Sequence, residues 1–538
     1  MPNADLRTID GALSVPDGLL TSSMTLWCEY AIWGLLFHDD QSPWLTVVEC
    51  LQICFSRQRA GLPVLEGLPE NGEHEVIRYA TPLNHHLRHL LFRDRDILEI
   101  AERNLDDHSM WEAWKSLLDR DQIGLNFDYL RKAFQSFQEM ANAVELLRSA
   151  EIESQTAKRW TSRHLLPLGD NLLFPDVAAN DGLDRKFMRR TGELLYLMLN
   201  RARQREELAG LITRRLLATD KRWNKLAARL AGPDRGGDAS TSVGYLPMAS
   251  HTAYDVLAAD WIALLKLQSV PIENVLDPLQ RLSGLAQALY ILQQARATIG
   301  SPAPPLAPFL MDLVGVGRSP VRKLSIALYQ RHQAMLGDAM AQFVERFGQS
   351  EAWSMIADED DRSGAAHALK TRFLWDAGST NDPDRLLTPV QQIDQLRMEA
   401  QSPRGHSVVS AFRSHLKHLG LLRSYRRSGT WYAPTDNLLE ALVLGNVTTP
   451  MEFNEFLQRI HKRYNIVAGP EQVRAAFGTA SGTLPVPLAD LQDNERRLEE
   501  RLRVLGFLDR KSDDCAFVIN PFHSLERSSA GVTGLDPT

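Results

Sequence analysis

Residues 415–434 read HLKHLGLLRSYRRSGTWYAP, and a related pattern returns at 500–521 as ERLRVLGFLDRKSDDCAFVINP. The two align on Leu419-Gly420 and Leu505-Gly506. Apolar residues precede each pair at helical spacing: Val408, Phe412, Leu416 and Leu419 in the first, Leu498, Leu502 and Leu505 in the second. Each glycine is suited to the left-handed conformation that ends a helix. Leu421-Leu422 and Phe507-Leu508 follow, then a polar strand, a turn and a returning strand closed by Pro434 or Pro521. The spacing places the turns at Ser428-Gly429 and Asp513-Asp514.

Upstream of the second copy, MEFNEFLQRIHKRY (451–464) reads as one helix and GPEQVRAAF (469–477) as a second, with Pro470 suited to its first turn. TPVQQIDQLRMEAQ (388–401) precedes the first copy. Helix, glycine, strand, turn and strand in this order resemble the third helix and wing of a winged-helix domain. The resemblance covers about a quarter of the chain and implies tandem winged-helix domains at 386–445 and 446–522.

The two copies differ in charge. Residues 401–435 contain no Asp or Glu, but hold Arg404, Arg413, Lys417, Arg423, Arg426 and Arg427, with Trp431 returning from the turn. Uncompensated cations on a helix and a wing suit contact with the phosphates of double-stranded DNA. The second copy mixes Glu495, Glu499, Glu500 and Asp509 with its arginines, which suits a partner surface better.

Most of the remaining chain has helical periodicity, notably at 127–152, 191–218, 252–298 and 320–348. Punctuation falls at GPDRGGDASTSVG (232–244), read as a linker, at GSPAPPLAP (300–308), read as a stiff turn, and at AGSTNDPDR (377–385). The expected fold class is mainly α, a multidomain helical body followed by tandem winged-helix (α+β) domains. Its parts are an N-terminal helical domain at 1–231, a middle helical domain at 245–376, the two winged-helix domains, and a disordered tail at 523–538.

A net charge of −7 over 538 residues excludes a simple polycation, so any nucleic-acid contact must be local. A second basic region runs through 185–229. Just before it, Lys158, Arg159 and Arg163 surround Trp160, a mixture that suits a phosphate backbone or the solvated face of a helix. Four cysteines without a CxxC pair read as reduced thiols, and no apolar run is long enough to span a bilayer. With no signal-peptide pattern in the first residues, a cytoplasmic protein without membrane contact is expected.

Motifs for chemistry are weak. The chain lacks GxxxxGK[ST], HExxH and GxSxG, so neither a cofactor nor a catalytic metal is expected. His85 and His89 share a helix face without a third ligand, and Asp358-Glu359-Asp360-Asp361 is an acidic run that reads as solvated. Asp176, Asp184 and Lys186 imitate a PD-(D/E)xK nuclease centre, in which carboxylates hold Mg²⁺, but they fall in a stretch that reads as a loop entering a helix.

The body stretches KRWTSRHLLPLGDNLLFP and RTGELLYLMLNRARQREEL resemble accessory proteins of multi-gene bacterial antiphage systems. That resemblance implies a non-catalytic DNA-binding or scaffold subunit, partnered by DNA and by other protein subunits of the same system. The alternatives are a divergent Mg²⁺-dependent nuclease of a restriction-type system and a winged-helix transcriptional regulator. A homo-oligomer is compatible with any of these.

Overall fold

The computed structural model describes residues 11–13, 24–34, 41–69, 77–82, 84–150, 167–173, 190–232, 238–267, 269–300, 305–315, 319–376, 386–402, 407–478, 485–512 and 515–522. It is mainly helical and divides into two compact units. One comprises Met1–His251 with His406–Ser414, the other Thr252–Gly405 with His415–Thr538.

In the first unit the helices are α1 (Met24–Trp33), α2 (Pro43–Arg59), α3 (His85–Phe92), α4 (Asp94–Ala101), α5 (Asp107–Arg120), α6 (Asp128–Ala133), α7 (Phe137–Arg148), α8 (Thr191–Asn200), α9 (Arg205–Arg215) and α10 (Arg222–Ala231). The stretch 191–218, expected to be one helix, breaks at Arg201–Gln204 into α8 and α9. Arg201 is the first residue past the end of α8. It is buried and donates to the carbonyls of Leu246 and Met248 at 2.8 and 2.6 Å, an anchorage that helical periodicity cannot reveal.

Strand β1 (Arg78–Pro82) pairs antiparallel with β2 (Asp238–Ser242). Part of the stretch read as a linker is therefore a strand, because its Ser and Thr residues meet a partner far away in sequence. Glu49 of α2 accepts from the backbone N–H groups of Arg190 and Gly192, which fixes the start of α8. A negative charge there also suits the N-terminal end of the helix dipole.

The second unit contains α11 (Thr252–Leu265), α12 (Ile272–Ile299), β3 (Phe309–Leu310), α13 (Pro320–Gly348), α14 (Glu351–Asp358), α15 (Arg362–Phe373) and α16 (Pro389–Gln401). Helix α17 (Ser407–His418) begins in the first unit and ends in this one. There follow β4 (Leu422–Tyr425), β5 (Gly429–Tyr432), α18 (Asp436–Asn446), β6 (Met451–Glu452), α19 (Phe453–Tyr464), β7 (Ile466–Val467), α20 (Pro470–Phe477), α21 (Leu488–Val504), β8 (Leu508–Ser512) and β9 (Cys515–Val518).

Helix α12 lies at the centre of this unit, packed by α11, α13 and α18. Leu276, Leu279, Leu282, Leu285, Leu289 and Leu292 are all buried, which is the pattern of a helix enclosed on most sides. Helix α13 starts cleanly because the Ser319 hydroxyl accepts from Arg322 N–H and Pro320 needs no partner in the first turn. Thr388 and Gln391 form a reciprocal capping box on α16.

The duplicated pattern is a duplicated backbone geometry. After α17, Gly420 N–H donates to Lys417 and Leu421 N–H to Leu416; after α21, Gly506 donates to Arg503 and Phe507 to Leu502. Both glycines are left-handed, with φ of 91° and 81°. Across each hairpin Leu421 C=O accepts from Ala433, and Phe507 C=O from Ile519. The corresponding strand pairs are Leu422 with Tyr432 and Leu508 with Val518.

Candidate nucleic-acid interface

The copies part company at the outer edge of the returning strand. In the second, β6 completes a three-stranded sheet in the order β6-β9-β8, with Met451 opposite Val518. In the first, no third strand is present among the described residues. The equivalent residue, Tyr432, instead receives Asp312 N–H on its carbonyl at 2.8 Å and donates its own N–H to Ser325 Oγ at 2.9 Å. The outward-facing backbone groups of Tyr432 are thus satisfied by α13 and the segment before it.

His332 of α13 completes this seat. Its Nε2 lies 2.8 Å from Ala307 C=O and its Nδ1 2.6 Å from the Tyr432 hydroxyl. A carbonyl can only accept, so Nε2 carries the proton and Nδ1 accepts from Tyr432. Burial pushes the imidazole down to about 4 and the phenol well above its usual value. Phe309 packs edge-on against Tyr432 with ring centroids 5.1 Å apart.

The turn lies two residues earlier than expected. Ser428 N–H donates to Tyr425 C=O, so Arg426 and Arg427 occupy the apex. Gly429, with φ of 85°, opens β5 in the left-handed region that glycine adopts without strain. Arg423, Arg426 and Arg427 are exposed, and so is Lys417 on the preceding helix. Among the described residues none of these four forms an ion pair. Arg413 is also exposed, one turn earlier in α17, while Arg404 lies outside the described residues.

Trp431 is 3% exposed, with Arg322 over its ring at 4.3 Å. The solvent-facing aromatic of the hairpin is Tyr425, 59% exposed and 5.7 Å from the Trp431 ring. Reading the sequence passed over Tyr425, although its position across from Gly429 in the register gives a signal for it.

The second hairpin is electrostatically closed. Lys511 pairs with Asp509 at 2.6 Å, Arg510 with Glu499 at 3.9 Å and Arg501 with Asp436 at 2.5 Å. Burial, reinforced by Glu471 and Glu499, raises the carboxyl of Glu495.

Lys158, Arg159, Arg163, Asp176, Asp184 and Lys186 lie outside the described residues, as does the Asp513-Asp514 turn. In the second basic region Arg190 forks onto buried Glu193 at 2.9 Å, Arg222 lies over Trp223 and Arg229 over Phe134. His86 and His89 pack on Phe127, and burial brings His89 down to about 4. Asp361 caps α15 and Asp360 pairs with Arg362. Among the described residues no cluster of three His, Cys, Asp or Glu side chains is arranged to hold a metal ion, and no helix is long and apolar enough to cross a membrane. Comparison of the chain with protein-family models, with curated proteins and with solved structures found no match.

Proposed function

We propose that the chain is a non-catalytic DNA-binding and scaffold subunit of a bacterial multi-protein DNA-processing or antiphage defence complex. In this reading 386–445 and 446–522 are tandem winged-helix domains. The first presents its wing to double-stranded DNA and the second holds protein. Support for the domain reading comes from the shared glycine-and-hairpin geometry of the two copies. In the second copy it also comes from three helices (α19, α20 and α21) leading into a hairpin, with β6 beside β9, while β7 between α19 and α20 pairs with β3 outside this sheet.

One observation carries the function. Arg423, Arg426 and Arg427 project from a hairpin that makes no ion pair among the described residues, whereas the matching hairpin has both its cations paired. A hairpin seated on α13 presents these charges at little ordering cost, which is what a phosphate clamp requires. The resemblance of the body to accessory proteins of antiphage systems supports the placement in a defence complex.

The test is a titration of a DNA duplex across a salt series with wild type and the Arg423→Ala/Arg426→Ala/Arg427→Ala variant. Each phosphate contact contributes about 0.9 to the slope of log K against log salt, so the variant should lose about 2.7. Equal slopes for the two proteins, or no salt-dependent binding by wild type, would overturn the reading.

A further inference from the structure

Under the first hairpin lies a cleft of about 310 Å³, lined by Asp312, Arg322, Arg423, Tyr425, Trp431 and Arg501 among others. We propose that this cleft is a nucleotide site that takes one phosphorylated nucleoside, a ligand distinct from a duplex held along the wing.

Its charge is lopsided in a specific way. Arg322 is neutralised by buried Asp312 at 2.7 Å. Arg501 pairs with the half-exposed Asp436 at 2.5 Å, and Arg423 has no carboxylate partner among the described residues. The unpaired Arg423 guanidinium, with that of Arg501, whose carboxylate partner is half exposed, suits a phosphate dianion and can bind it through paired N–H donors.

The cleft also offers what a base needs. Tyr425 supplies an exposed ring for stacking. Asp312 and Trp431 line the cleft, and Asp312 Oδ1 and Trp431 Nε1 are buried polar atoms without a hydrogen-bond partner among the described residues, one an acceptor and the other a donor. Side chains so enclosed normally find partners, and a nucleobase edge carries both complementary groups. Inorganic phosphate would satisfy the arginines but neither of these atoms. The volume stands near the lower limit for small-ligand pockets, which suits one nucleotide rather than a longer segment.

Calorimetric titrations at low salt would use the full chain with the four deoxynucleoside monophosphates, their nucleosides and inorganic phosphate. At least one monophosphate should bind about tenfold or more tighter than its nucleoside and than phosphate, and Tyr425→Ala should remove about tenfold of that affinity, as expected for a lost stack. Arg501→Ala should weaken the monophosphate as well. Should that variant fail to fold, exposed Tyr425→Ala still provides the test. A monophosphate that binds no better than phosphate, or a Tyr425→Ala protein that binds like wild type, would overturn the proposal.

A hexanucleotide with and without a 5′-phosphate separates the two sources. A phosphate-dependent gain assigns the site to strand ends, and tight binding of monophosphates alone assigns it to free nucleotides. Monophosphate binding without duplex binding would remove the proposed function and leave the cleft. Duplex binding without monophosphate binding would do the reverse.

Discussion

Replacing Tyr432 with Phe tests whether the first hairpin is held by its seat. The substitution keeps the ring and its edge-on contact with Phe309, and removes only the hydroxyl that donates to His332 Nδ1 at 2.6 Å. His332 cannot recover by changing tautomer, because Ala307 C=O requires the proton on Nε2. The ring is fully buried, so its lone pair stays without a partner. Stranding a buried acceptor in this way costs about 1–3 kcal/mol. The backbone bonds of Tyr432 to Asp312 and Ser325 remain, so the hairpin should stay docked but open more often. Amide hydrogen exchange at Tyr432 reads this directly, and the same cost corresponds to an acceleration of about 5- to 150-fold if exchange passes through hairpin opening. The slope of duplex binding against salt should not change, because no phosphate-facing charge is lost. Exchange within about twofold of wild type would refute a hairpin held through His332, since even the smallest cost predicts more.

The remaining expectations concern pH and the two helix ends. Burial brings the folded His332 down to about 4 while an unfolded histidine titrates near its usual 6.5, so the unfolded chain binds the extra proton and stability falls as pH drops through that window. Between neutrality and pH 5 this one group removes about 2 kcal/mol. Denaturant midpoints across that range should therefore flatten in His332→Gln, and an unchanged profile would show that the buried ring is not the source. Gly420→Ala should destabilise more than Gly506→Ala. Both strain a left-handed residue by about 1 kcal/mol, but a Cβ at 420 would lie 2.2 Å from Thr435 Oγ1 and one at 506 meets nothing within 4 Å. Equal losses of melting temperature would mean that the crowding at Thr435 relaxes without cost.

What could be read from the sequence was what lies close together in it. The alternation of apolar residues around Leu416 and Leu502, the left-handed glycines after them and the acid-free run from 401 to 435 are local patterns, and the duplicated helix end and the exposed cations follow from them. The seat could not be read in the same way. Asp312, Ser325 and His332 reach Tyr432 from a hundred or so positions upstream, and nothing about a lone serine or histidine on an amphipathic helix announces that its partner is a returning strand. The same gap in range turned Trp431 from an expected surface aromatic into a buried one, since its cover, Arg322, also comes from α13. It also turned Asp238–Ser242, rich in turn-forming residues, into a strand paired with Arg78–Pro82. The functional consequence lies in the difference between the copies. Where Met451 supplies a third strand, the second hairpin has its cations neutralised by Asp509 and Glu499. Where α13 takes the third strand's place, the first hairpin keeps three exposed arginines and gains a cleft against Arg322 and Arg501. A single helix is thus both the brace for the basic hairpin and one wall of the proposed nucleotide site.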